Sequence, residues 1–324
     1  MAGVRSRVLP AVAAAALLAA CARPPAAAVG EVRISQAQLG RDVRLFRFLS
    51  ELSGATCGQP VEDESPEAAC ARFTLQNLIQ EEVAKAYAER HGITVPSSRV
   101  EETLERLEAS LGPEGLEPRL AAAGIDRQDL RDLARRLLLF DAVRRAVVRE
   151  VVTDEELRRD YEDQQVRFTT LHAAHILVAT RKEAEQIRAR ITPANFARMA
   201  RHFSTDRASA RNGGDLGEVP ANQFDPDFVA AALALQPGEI SQPVRTSFGW
   251  HIIRLVSSHV RPFEEVREQL LGERADVAFS DWVRQQLART TVSLNPRYGV
   301  FDVETGVVLP IRSTSTASPA AGAP

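Results

Sequence analysis

The feature that most restricts the fold is a change of hydrophobic period that happens twice. From Ser35 to about Val151 the apolar residues recur at helical spacing, after Gln165 the pattern becomes strand-like and mixed, and from Pro262 helix returns. A chain written this way folds as a helical domain with an α+β module inserted into it. The first helical segment places Leu78, Ile79, Val83 and Tyr87 on one face and ends at Gly92, a residue suited to the left-handed position after a helix. Ser98 with Glu101 reads as a capping box for a second helix, whose stripe is Val100, Leu104, Leu107 and Leu111. A third begins at Asp126 and points Leu130, Leu133, Leu137 and Phe140 one way; its arginines read as a solvated face paired with Asp129, Asp132 and Asp141. Thr153 with Glu156 caps a fourth.

Between residues 166 and 260 the order is strand, two helices, a glycine-rich turn "NGGDLG", a short helix "DPDFVAAALAL", a turn "QPGEISQPV" into a strand, and a last strand "GWHIIRLVSSH". That order predicts a compact α+β unit with a mainly antiparallel sheet. The segment 261–302 supplies a long helix and the strand-like "TVSL". Packing back onto the first helices would let "TVSL" pair with "EVRI" of residues 31–34. The end of the chain, 303–324, has the composition of a disordered tail.

The N-terminus has Arg5 and Arg7 followed by an apolar run too short to remain across a bilayer, so residues 1–20 read as a secretory signal. "LAAC" resembles the lipobox of bacterial lipoproteins, which implies lipidation of Cys21, with 21–30 as an anchor linker. Removing the signal makes the formal net charge of −3 more negative, and that balance gives no nucleic-acid footprint. Cys57 and Cys70 are the remaining cysteines. In an oxidising envelope they pair as a disulfide, and the polar stretch between them offers no set of metal ligands.

Two histidines stand inside apolar strands, His175 in "HAAHILV" and His251 in "GWHIIRL". His172 and His175, three apart on one strand, point to opposite faces and cannot share a metal. The combination "HIL", "GGDLG" and "PGEIS-PV-T-FG-HII", in that order and spacing, resembles the parvulin family of peptidyl-prolyl cis/trans isomerases from about Arg167 to His259. The resemblance implies an isomerase that needs no cofactor and no metal. It makes His175 and His251 paired histidines beneath the site and Asp206 their acidic neighbour. Leu216, Phe224, Phe228 and Phe248 become the walls of a proline pocket. The family usually has methionine where this chain has Phe224.

The flanking helices and lipobox are similar to envelope foldases of the SurA and PrsA type, and "SLNPRYGVFD" looks like the ending of SurA-like lipoproteins of actinobacteria. This implies a chaperone that assists unfolded exported proteins with X-Pro bonds. It would be held by lipid at the outer face of the cytoplasmic membrane or the periplasmic side of an outer membrane. A non-catalytic client-binding holdase with a degenerate parvulin unit is the alternative, and the histidines are either catalytic or architectural. A hydrolase triad can be assembled on paper from Ser204, Asp206 and His251, but no nucleophile elbow supports it.

Overall fold

The computed structural model describes residues 24–61, 63–112 and 115–311. The expected signal segment and Cys21 lie outside them. Contacts divide the chain into two compact units, one running up to Val151 and resuming at Ala275, the other spanning Val152–Arg274. The second is wider at both ends than the expected 166–260.

In the first unit, strands β1 (Ala27–Val29) and β2 (Val32–Ile34) lead into helices α1 (Gln36–Leu52), α2 (Pro66–His91), α3 (Ser97–Ser110), α4 (Glu117–Ala123) and α5 (Arg127–Val151). Ser35 and Ser65 cap α1 and α2 by accepting from Gln38 N and Ala68 N, and Pro66 opens α2 where its missing N–H costs nothing. Gly92 closes α2 with φ 66°. Their apolar stripes meet in a core that includes Leu45, Phe48, Val100, Leu104, Leu120, Leu130 and Leu133. Cys57 and Cys70 are bonded across 4.8 Å between Cα atoms, tying the loop before α2 to its first turns.

The second unit contains α6 (Asp154–Asp163), β3 (Thr169–Val178), α7 (Arg181–Arg188), α8 (Phe196–Phe203), α9 (Arg207–Ala210), β4 (Asp215–Pro220), α10 (Pro226–Leu233), β5 (Val244–Thr246) and β6 (Gly249–Val260). Its sheet has the order β4-β3-β6-β5, antiparallel throughout. Alternation splits the long strands between two cores. Ile176, Val178 and Ile252 pack with Ala184, Ile187 and Phe196 on one face, while Leu171, Ala173, Ile253 and Leu255 pack with Phe228 and Val229 on the other. Helix α6 belongs here because Tyr161 stacks on Phe168 and meets Phe263, and Asp160 pairs with Arg274. Helix α11 (Phe263–Ala288) starts in this unit and ends in the first, followed by β7 (Val292–Leu294), β8 (Val300–Asp302) and β9 (Val307–Leu309). Among the described residues no helix is long and apolar enough to cross a membrane.

Several expectations need correction. The stretch 21–30 is not all linker: β1 lies within it, with Ala26 and Ala27 buried. β1, rather than "EVRI", pairs with β7, and β2 pairs with the other edge of β1. Small alanines fill a central strand as well as they fill a linker, and the alternating burial of β1 selects the strand. The tail is also shorter than expected, because β8 and β9 form a hairpin at 300–309. Ser98 does not cap α3: Pro96 holds the extended N-cap position, so Ser98 is already the second residue of the helix. Asp126 does cap α5, accepting from Gln128 N at 2.7 Å, and Thr153 and Glu156 form a full capping box. Leu137 is exposed rather than in the stripe. On α5, Arg135 pairs with Asp132 and Arg145 with Asp141, but Arg136 turns inward to Asp42 and Glu81.

Candidate active site

The central strands β3 and β6 pair so that His175 lies opposite Ile253 and His251 opposite Leu177. That register puts both imidazoles on the same face of the sheet, diagonal to one another. Two glycines permit the arrangement. Gly214 (φ +86°) accepts from His175 N at 2.8 Å, and a Cβ there would lie 2.3 Å from the His175 carbonyl oxygen. Gly249 (φ +141°) opens β6, where a Cβ would lie 2.7 Å from the Val178 carbonyl oxygen. Both are positions of close backbone approach at a left-handed φ, which only glycine occupies without strain.

Both rings are buried and joined in one chain of hydrogen bonds. His175 Nε2 lies 2.8 Å from Asp206 Oδ2, His175 Nδ1 lies 3.1 Å from His251 Nδ1, and His251 Nε2 lies 2.7 Å from Thr246 Oγ1. The Ser209 hydroxyl also bonds Asp206 Oδ2, and Asp206 Oδ1 accepts from Ala208 N while capping α9. The partners assign the protons. A carboxylate at Asp206 makes His175 Nε2 the donor, so neutral His175 accepts at Nδ1, His251 donates from Nδ1, and Thr246 donates its hydroxyl to His251 Nε2. Thr246 Oγ1 in turn accepts from Phe248 N at 3.1 Å. Every bond in the chain is polarised toward Asp206.

The electrostatics agree with that direction. Burial is the largest cause that lowers the His251 pKa to about 4, and the neighbouring His175 acts in the same direction. Burial by itself would raise Asp206, but hydrogen bonds from Ser209, His175 and the Ala208 N–H help bring it down to about 2. At neutral pH the floor is therefore a carboxylate with His251 uncharged.

Above it stands an aromatic wall. The buried Phe228 ring is 5.5 Å from His251 and 6.1 Å from His175, edge to face with both, and Phe224 stacks on Phe228 at 5.0 Å and 16°. Leu216 packs against the same cluster.

Residues 173–257 match the Rotamase family, whose description is PPIC-type PPIASE domain. This chain contains a PPIC-type PPIase domain. Over 195 residues the chain is 35% identical to the Foldase protein PrsA of Caldanaerobacter subterraneus subsp. tengcongensis, an alignment covering 60% of this chain and 59% of that one, so less than two thirds of the relative is spanned. It is 27% identical over 267 residues to the Foldase protein PrsA of Clostridium tetani, covering 76% of this chain and 78% of that one. A crystal structure of PrsA from Bacillus cereus is similar at 22% identity with a TM-score of 0.42, over 85% of this chain and 92% of that one.

The PPIase domain brings together His175, Asp206, His251, Leu216, Phe224 and Phe228. It leaves Phe248 apart: that side chain is 75% exposed at the β5–β6 turn, and only its backbone N–H reaches the network. Ser204 is no triad member, since its buried hydroxyl accepts from Leu177 N and lies outside the histidine chain. His172 points to the other face, 2.8 Å from Asp215. Among the described residues no group of three or more His, Cys, Asp or Glu side chains could hold a metal ion.

Thr246 and Ser209 are the PPIase-domain residues that sequence reasoning missed. Each had a signal in spacing: Ser209 stands three after the capping Asp206, and Thr246 sits opposite Gly249 in the hairpin that turns into His251.

Proposed function

We propose that the PPIase domain accelerates cis/trans isomerisation of X-Pro bonds in exported polypeptides. The observation that supports this is the polar chain Asp206–His175–His251–Thr246 lying beneath the Phe224–Phe228 stack. Rotating an X-Pro bond crosses a barrier of about 18–20 kcal/mol because amide resonance has to be broken. No bond to substrate forms, so no cofactor enters. The protein's task is to hold the prolyl ring in an apolar slot over a fixed dipolar floor that favours the twisted amide over the planar one. Leu216, Phe224 and Phe228 supply the slot. His175 and His251, fixed in one tautomeric state by Asp206 and Thr246, supply a floor that needs no reorganisation when the amide twists.

The helical unit then serves as a chaperone that holds unfolded clients while the PPIase domain acts. Processing after residue 20 and lipidation of Cys21 anchor the protein to a bacterial envelope membrane; nucleic acid is not a partner for a chain of formal net charge −3. A second reading, a holdase without turnover, is favoured by one observation: Phe224 lies flat on Phe228 and narrows the slot that a prolyl ring would enter. A protease-coupled proline-peptide assay on the full chain separates the two. Rates indistinguishable from uncatalysed exchange would leave the holdase, and acceleration abolished by changes at Phe228 would establish the isomerase.

A further inference from the structure

The C-terminal hairpin presents one apolar face that the rest of its unit does not cover. Val300 pairs with Leu309, Phe301 with Val308 and Asp302 with Val307, so alternation sends Phe301 and the buried Val308 inward and Val300, Val307 and Leu309 outward, with Asp302 on the same face at its turn end, where its carboxylate accepts from Glu304 N and Thr305 Oγ1. Val300 is 60% exposed, Leu309 43% and, two residues along the same face, Ile311 57%. The hairpin is held firmly. Gln76 of α2 donates to Gly306 O at 2.9 Å and accepts from Val308 N at 2.5 Å. Gly299 starts β8 at φ +132°, where a Cβ would lie 2.3 Å from the Leu309 carbonyl oxygen. Aliphatic side chains displayed on a pinned scaffold mark an interaction surface.

The path of the N-terminus says what covers it. Asn295 donates its N–H to Ala26 O at 2.9 Å and its side-chain amide to Pro25 O at 3.4 Å, while Gln36 donates to Pro24 O at 2.7 Å. Asn295 also caps the Pro296–Tyr298 turn that runs directly into β8. Arg297 and Tyr298 line one cavity together with Pro310 and Ile311. The described chain therefore begins, at Pro24, in the same corner that carries the hairpin. Only Ala22 and Arg23 separate Pro24 from Cys21, three residue steps with a reach of at most about 11 Å.

We propose that this hairpin face, Val300, Val307, Leu309 and Ile311 with Tyr298 and Arg297 at its border, docks on the lipid surface to which Cys21 is anchored. The proposal rests on the reading of Cys21 as the lipidated residue. An acyl anchor this close holds the corner at the headgroup level, where aliphatic side chains gain by insertion and a tyrosine with an adjacent arginine is at home. Arg297 lies over the Tyr298 ring at 5.3 Å. The cavity's other wall is acidic, with Asp63, Glu64 and Glu67. Association is thus driven by apolar insertion and does not require anionic lipid. Docking fixes the orientation of the helical unit on its membrane, which an acyl chain alone does not.

The experiment uses the full-length protein, processed and lipidated in a bacterial host, carrying Val300→Cys with a nitroxide label and reconstituted into phosphatidylcholine vesicles. Intact mass reports whether Cys21 is acylated. The ratio of oxygen to nickel-chelate accessibility at the label is compared with the detergent-solubilised protein, with Val277→Cys, 67% exposed on α11, as the control. We expect acylated protein, a ratio that rises at position 300 on vesicles as the label enters the acyl boundary, and no change at 277. Adding Leu309→Asp should return the ratio to the detergent level while the circular dichroism and the acyl mass stay unchanged. Acylated protein with an unchanged ratio at 300 overturns docking and leaves the anchor intact. Absence of acyl chains removes both. Shielding of the label by unfolded polypeptide in detergent, without a response to vesicles, assigns the face to clients and overturns the proposal.

Discussion

His175 and His251 meet Nδ1 to Nδ1 at 3.1 Å, so a single proton serves the contact and its position is decided at the two ends of the chain. At one end is Asp206, which Ser209 and His175 keep ionised; at the other is Thr246, which Phe248 N–H leaves free to donate toward His251. Replacing Asp206 by Asn removes the charge and leaves one acceptor oxygen where Oδ2 now takes two bonds. A hydrogen bond to a charged group is worth about 1.5–3 kcal/mol, which converts to a fall in kcat/KM of about ten- to a hundredfold if it acts on the rotating amide. The proline-peptide assay measures this, with circular dichroism as the control for folding. An Asp206→Asn rate within twofold of the parent would count against a role for the carboxylate in turnover.

Thr246→Val keeps the shape of the side chain and deletes both of its hydrogen bonds. His251 Nε2 and Phe248 N–H lose their partner in a buried place, a loss of about 1–3 kcal/mol. The urea midpoint should fall with an unchanged slope, and Thr246→Ser should restore most of it.

Acid should loosen the PPIase domain first. Burial lowers the folded-state pKa of His251 from 6.5 to about 4, so between those values the unfolded chain binds more protons than the folded one. Stability from this group is complete above pH 6.5 and is lost as pH falls toward 4. Asp206, lowered from 3.8 to about 2, adds a second loss over that lower window. Urea titrations read by Trp250 at pH 7 and pH 5 should show the drop, and His251→Gln should flatten it. A midpoint for Trp250 that does not move between these two values would reject the protonation argument.

The helical unit should respond in the opposite sense. Burial, partly offset by Arg136 and increased by Asp42 and Glu82, pushes Glu81 up from 4.5 to about 7. Arg136 gives its hydrogen bonds to Asp42, and Glu81 Oε1 has no hydrogen-bond partner. The folded state therefore binds more protons than the unfolded one between pH 4.5 and 7, and stability falls as pH rises through that window. Glu81→Gln should raise the midpoint read by Trp282 at pH 8 and remove most of its pH dependence. With one tryptophan in each unit, Trp250→Phe and Trp282→Phe backgrounds separate the two titrations.

Phe224→Met tests the width of the slot. The ring stacks on Phe228 at 5.0 Å, and a flexible thioether can move aside where a planar ring cannot. The substitution should raise kcat/KM severalfold in the proline-peptide assay, and an unchanged rate would show that Phe224 does not limit entry.

Much of the site was legible because its residues contradict their surroundings. An ionisable ring in the middle of an apolar strand is conspicuous, and two such strands in one small sheet made His175 and His251 candidates. Asp206 and Phe228 followed from the family resemblance. Thr246 and Ser209 escaped because hydroxyl side chains beside turns look like turn chemistry, and only the register that faces them toward a histidine or a carboxylate reveals their second use. Composition misled at both ends of the helical unit. Ala26 to Val29 has the small, bland residues of a spacer, yet it becomes the middle strand of a sheet because β2 and β7 flank it. Residues 303–311 precede a low-complexity tail and share its lack of periodicity, although the short β-branched apolar run "VVL" is a strand signal.

That middle strand has a bearing on the order of events during synthesis. Val29 is aligned with both Val32 and Val292, so one of its neighbours is made at once and the other only when almost the whole chain has left the ribosome. The sheet of the PPIase domain closes entirely from residues between Thr169 and Val260 and can form while the rest is still being made. Closing β1 against β7 is the most non-local strand pairing among the described residues and belongs to the slow end of folding. The inserted domain is thus in a position to mature before the helical unit that surrounds it in sequence has been sealed.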